Sequence, residues 1–104
     1  MTIKLDNGKL ASIVKQYGVA ELYVFGSVAR DEALPDSDVD LLYRLKPGAT
    51  LGMLSRQQLI DDLQHLFGRE VSLLSYDSLI RHAQKSRASR MFLEHITPDL
   101  IRIV

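Results

Sequence analysis

The chain has 104 residues, 46% hydrophobic and 25% charged, with thirteen basic side chains against thirteen acidic ones. Such a length and balance predict one globular domain over residues 1–104 and exclude collagen-like, disulfide-scaffold and fully disordered chains. Cysteine is absent, which excludes zinc ribbons and thiol catalysis, and no apolar run or N-terminal signal core (MTIKLDNGK) points to a membrane, so a cytoplasmic location is expected.

Leu10, Ile13, Val14 and Tyr17 recur at helical spacing behind Asp6 or Asn7 as cap, predicting a helix over 8–17 that stops at Gly18. Glu21–Phe25 is a short β-prone run ending at Gly26-Ser27. A short helix over 27–32 follows, then the turn-rich Leu34-Pro35-Asp36-Ser37. A second strand is expected over 38–45, a long helix over 54–67 closed by Gly68, and a third strand over 70–75. Beyond Asp77 the pattern supports a helix around Leu79, Ile80 and Ala83, then the apolar segment Met91-Phe92-Leu93, and an edge strand over 100–104. This alternation predicts an α+β (α/β) class: a small mixed sheet with helices packed mainly on one face.

The charges are segregated. Asp31, Glu32, Asp36, Asp38 and Asp40 fall within ten positions, whereas Arg81, Lys85, Arg87 and Arg90 form a basic stretch. A solvated face is the simpler reading of that stretch. A nucleic-acid-binding module is the weakest functional reading, because the chain is neutral and no aromatic residue interrupts the basic residues.

Two short segments carry chemistry. A strand ending in Gly26-Ser27 and opening into a helix suits a phosphate: glycine lets the backbone approach, free N–H groups and the Ser27 hydroxyl donate, and Arg30 reaches in from one turn on. Asp38 and Asp40, at i and i+2 of a strand, project from one face, and paired carboxylates there suit a Mg²⁺ that also holds triphosphate oxygens. Asp36–Asp40 spells half of a calcium loop, but Leu41 and Pro47 stand where that loop requires glycine and glutamate. His65, His82 and His95 have no partner at ligand spacing and read as surface residues.

Gly26-Ser27-x-x-Arg30, an acidic turn and Ser37-Asp38-x-Asp40-Leu41-Leu42 together resemble the minimal nucleotidyltransferases of the DNA polymerase β-like superfamily, over about residues 10–76. The resemblance implies nucleotide binding by Gly26, Ser27, Arg30 and Ser37, and catalysis on a two-metal Mg²⁺ site held by Asp38 and Asp40. It further implies transfer of a nucleoside monophosphate, in this family usually AMP from ATP, to an acceptor hydroxyl with release of pyrophosphate. The implied partner is a helical HEPN-type toxin, with this chain as antitoxin in a hetero-oligomer. Family members carry a third aspartate on a later strand, and here that position holds Ser72. Glu70 lies on the same strand face, but about 7 Å of strand rise separates it from Ser72. The alternative is therefore an antitoxin that binds nucleotide and partner without catalysis. Met91, Phe92, Leu93 and Ile96 are expected either to close the core or to form an interface with a second copy or a partner.

Overall fold

The computed structural model describes residues 5–104; residues 1–4, which begin the stretch without a signal core, lie outside the described residues. Helix α1 (Asn7–Gln16) starts where Asp6 accepts a hydrogen bond from the Lys9 N–H at 3.0 Å, and it buries Leu10 and Val14. Strand β1 (Val19–Phe25) is longer than the sequence pattern indicated, because Val19 and Ala20 after the Gly18 turn already lie in the sheet. The short helix α2 (Gly26–Ala29) stops earlier than expected: Asp31 turns the chain away at φ +58°. Strand β2 (Val39–Leu45) pairs antiparallel with β1, and Asp38 lies just ahead of it instead of being its first residue.

Helix α3 (Met53–Phe67) buries Leu59, Leu63 and Phe67 and ends at Gly68, whose left-handed φ of +67° costs glycine nothing. It is the crossover that allows β3 (Val71–Ser75) to lie parallel to β2. Helices α4 (Tyr76–Ala83) and α5 (Arg87–Ile96) follow, with Ser75 and Ser86 as caps. A single 3₁₀ turn, Thr97–Asp99, leads into β4 (Ile101–Arg102), an edge strand shorter than predicted. The sheet order is β3-β2-β1-β4.

Strand alternation sorts the core into two unequal clusters. Leu22, Val24, Val39 and Leu41 face α1 and α3, where they meet Leu10, Leu59 and Leu63 in the larger cluster. Phe25 and Leu42 face the other way and pack with Ile96 of α5. The helices thus cover mainly one face, as the pattern predicted, and α4–α5 cover part of the second. Arg44 pins α4 there: it donates to Asp77 at 3.0 Å and lies 4.7 Å from the centre of the Tyr76 ring. No helix among the described residues is long and apolar enough to cross a membrane.

The division of the core has a measurable consequence. Leu63→Ala, at a position with no exposed surface, should cost about 2–5 kcal/mol in urea unfolding, and Met53→Ala, at a side chain that is 90% exposed, about 0.5 kcal/mol or less.

Candidate functional site

The site assembles where β1 ends and β2 begins. Phe25 and Asp40 are cross-strand partners, so their side chains share one sheet face. Immediately after Phe25 the chain takes a positive φ of +74° at Gly26, and a Cβ there would collide with the Asp40 carboxylate. Glycine is therefore required twice, by its dihedral angle and by the carboxylate lying over it.

Asp38 is exposed and Asp40 half-buried. The next residues, Leu41 and Leu42, are fully buried, which fixes where Asp40 can point. Burial raises the Asp40 pKa above the usual carboxylate range, the negative charge of Asp38 raises it further, and the positive charge of Arg30 acts against both. This is electrostatic tension of the kind a cation relieves.

On the side where the sequence predicts phosphate binding, α2 is only four residues long, so its dipole adds little to the free N–H groups. Ser27 is partly exposed at its start. Arg30 caps the C-terminal end of α2, and its guanidinium is already engaged: Nε donates to Glu32 at 3.1 Å and Nη1 to Asp99 at 3.0 Å. Sequence reasoning missed Asp99, which lies 69 positions away with no motif around it. The Ser37 Oγ accepts the Leu34 N–H at 2.8 Å, so this hydroxyl first builds the acidic turn and still has its own proton to donate. Arg69 ties that turn down by donating to the Leu34 carbonyl at 3.1 Å.

Across β2, Asp40 stands in register with Ser72 of β3. The position where a third carboxylate was expected therefore adjoins Asp40 and carries an exposed hydroxyl.

Residues 8–96 match the nucleotidyltransferase domain family. The chain belongs to this family. It is 34% identical over 79 residues to a protein of Methanocaldococcus jannaschii described as a "putative protein adenylyltransferase", a match covering 76% of this chain and 83% of the relative. A solved structure described as a "putative minimal nucleotidyltransferase" superposes with a TM-score of 0.61 at 33% identity, covering 88% of this chain and 87% of the other. A toxin–antitoxin crystal structure with AMP-PNP shares the fold at a TM-score of 0.55 and 19% identity; the match spans 79% of this chain and 60% of that one. These matches place the nucleotidyltransferase among the minimal members of the polymerase β-like superfamily.

Among the described residues of the nucleotidyltransferase, no three His, Cys, Asp or Glu side chains converge as a metal site. Two adjacent carboxylates still fit Mg²⁺, which keeps several waters and binds through one or two carboxylates together with substrate phosphates. The unrelieved charge on Asp40 agrees with that donor set. Glu70 is exposed just ahead of β3, not within the strand as expected, and its carbonyl accepts the Val39 N–H at 2.9 Å. His65, His82 and His95 are exposed, as are Arg81, Lys85, Arg87 and Arg90, in agreement with solvated surfaces. Of the C-terminal apolar residues, Ile96 is buried in the smaller cluster, while Met91 stays 56% and Phe92 37% exposed.

The raised Asp40 pKa has a definite sign. The folded state holds this proton more tightly than the unfolded chain does, so its contribution to stability is present at low pH and lost as pH rises through the raised value. Asp40→Asn should therefore melt above the native protein without metal, with an advantage that grows as pH rises from about 4, where the unfolded carboxyl ionises, through the raised value. Mg²⁺ should raise the melting temperature of the native protein and leave that of the variant unchanged in differential scanning fluorimetry. Gly26→Ala should lose the Mg²⁺·ATP shift as well, because its methyl group displaces the Asp40 carboxylate.

Proposed function

We propose that the chain transfers AMP from ATP to a hydroxyl on a helical HEPN-type toxin partner and thereby acts as its antitoxin. The observation that carries this reading is the meeting of the Gly26 turn with the Asp40 carboxylate, with Asp38 and Arg30 in electrostatic reach. The relative described as a protein adenylyltransferase supports the AMP and protein parts. The toxin–antitoxin neighbours, one with AMP-PNP, support the partner.

In this reaction the acceptor oxygen attacks the α-phosphorus of ATP, the bond from that phosphorus to the bridging oxygen breaks, pyrophosphate leaves, and the hydroxyl proton passes to solvent. Asp38 and Asp40 would hold Mg²⁺, which neutralises charge on the phosphate oxygens. Gly26 admits the phosphates to the backbone, while Ser27 and Arg30 donate to them. Ser37 supplies a further donor from the turn. With positioned carboxylates and a phosphate cradle, orientation provides most of the remaining acceleration.

Ser72 favours a second reading, in which the chain binds nucleotide and partner and transfers nothing. A serine adds no charge to the metal site and is no base for the acceptor hydroxyl. Labelled ATP, given to the chain co-expressed with its partner, separates the two. Transfer predicts label on the partner that disappears with Asp40→Ala, and binding alone predicts a stable complex that never takes label. Ser72→Asp, which sets a third carboxylate beside Asp40, should raise the transfer rate about tenfold or more.

A further inference from the structure

Among the described residues Arg30 is the cation shown to act on Asp40, and its guanidinium is held by two carboxylates of very different character. Glu32 is 65% exposed and sits two residues along the same loop. Asp99 is 25% exposed and comes from the far end of the chain. Its backbone is clamped on both sides. Ile96, just before the 3₁₀ turn, is buried in the Phe25–Leu42 cluster, and Leu100 packs against that cluster. The Thr97 hydroxyl donates to the Leu93 carbonyl at 2.6 Å, and the Leu100 N–H donates to Thr97 at 3.3 Å. Ile101 then pairs with Val24, two residues before Gly26. Asp99 is thus a fixed carboxylate in the turn that leads into β4, the strand paired with the one that ends at the candidate nucleotide turn.

An arginine at the end of a one-turn helix would otherwise sample many rotamers, and that freedom would be lost again on each phosphate contact. The contacts to Glu32 and Asp99 use Nε and Nη1. A guanidinium has five donor hydrogens, so both can persist while Nη2 and the second Nη1 hydrogen face a phosphate.

We propose that Asp99 is a positioning residue for nucleotide binding: it acts through Arg30, holding the guanidinium preformed for the triphosphate. The inference rests on the reading of Arg30 as a triphosphate ligand.

The test is the Kd of Mg²⁺·ATP, measured by calorimetry on the native chain, Asp99→Ala, Asp99→Asn, Arg30→Ala and the Asp99→Ala/Arg30→Ala double variant. Positioning predicts that Asp99→Ala weakens binding about tenfold. Asp99→Asn should weaken it less, because its amide oxygen still accepts from Arg30. In the Arg30→Ala background, Asp99→Ala should have no further effect. Tighter binding by either Asp99 variant would show that Asp99 competes with the phosphates and would overturn the inference. Equal weakening with and without Arg30 would overturn it too, since Asp99 would then act only on the fold. If Asp99→Ala does not fold, the direction of change in Asp99→Asn decides alone. Absence of ATP binding by the native chain, or undiminished binding by Arg30→Ala, is a separate outcome that overturns the nucleotide reading itself and this inference with it.

Discussion

Two neighbouring carboxylates where β2 begins, one of them half-buried, set the constraint around which this end of the sheet is built. β2 gives Asp40 no alternative direction. Its neighbours Val39 and Leu41 are fixed in the core against α1 and α3, and the pleat then forces Asp40 to the opposite face beside Phe25. Desolvation and the charge of Asp38 both disfavour its ionised form. A sequence optimised for stability alone would place an amide or an apolar residue there. Local rules are broken where function asks for it, and the large cluster beneath the sheet offsets the cost.

The same constraint explains the surroundings of Asp40. Gly26 must lack a side chain because the carboxylate occupies its space. Arg30 is the compensating cation, yet two acids of this chain hold it, so the positive charge is fixed in place and largely spoken for. Among these named groups Arg30 stands alone against Asp38, Asp40, Glu32 and Asp99. A triphosphate approaching this turn without a metal would meet net negative charge. In the proposed reaction nucleotide and Mg²⁺ are therefore expected to bind together, each weak without the other.

Much of this was legible in the sequence because it is local. The alternation in β2, the Gly26-Ser27 strand end and the Gly68 stop are short-range patterns, and they led to the correct elements and to the pairing of Asp38 with Asp40. Ser72 came from the family resemblance, which puts a third aspartate at that position, and the structure sets it in register with Asp40. The Arg30–Asp99 contact was not legible, because it depends on how a 3₁₀ turn after α5 meets a loop 69 positions earlier. The short helix over 27–32 was drawn too long for a related reason: these residues carry helix-compatible side chains, but the left-handed turn at Asp31 ends α2 after one turn.

The C-terminal third shows how a weak pattern can still matter. No long apolar run marks α4 and α5, and the exposed Arg81, Arg87 and Arg90 lie on them, with Lys85 in the turn between. What docks them is a small set of contacts on the second sheet face: Ile96 against Phe25 and Leu42, an edge-on Phe25–Phe92 pair with centroids 6.2 Å apart, and Arg44 bridging Glu21 and Asp77. Each is modest alone, and the ion pairs are partly exposed and worth little in stability. Their effect is geometric. By fixing Ile96 and Leu100 they fix Asp99, through Asp99 they place Arg30, and Arg30 is the cation that acts on Asp40. A segment with little periodicity thus controls the charge at a site whose motif lies wholly elsewhere in the chain.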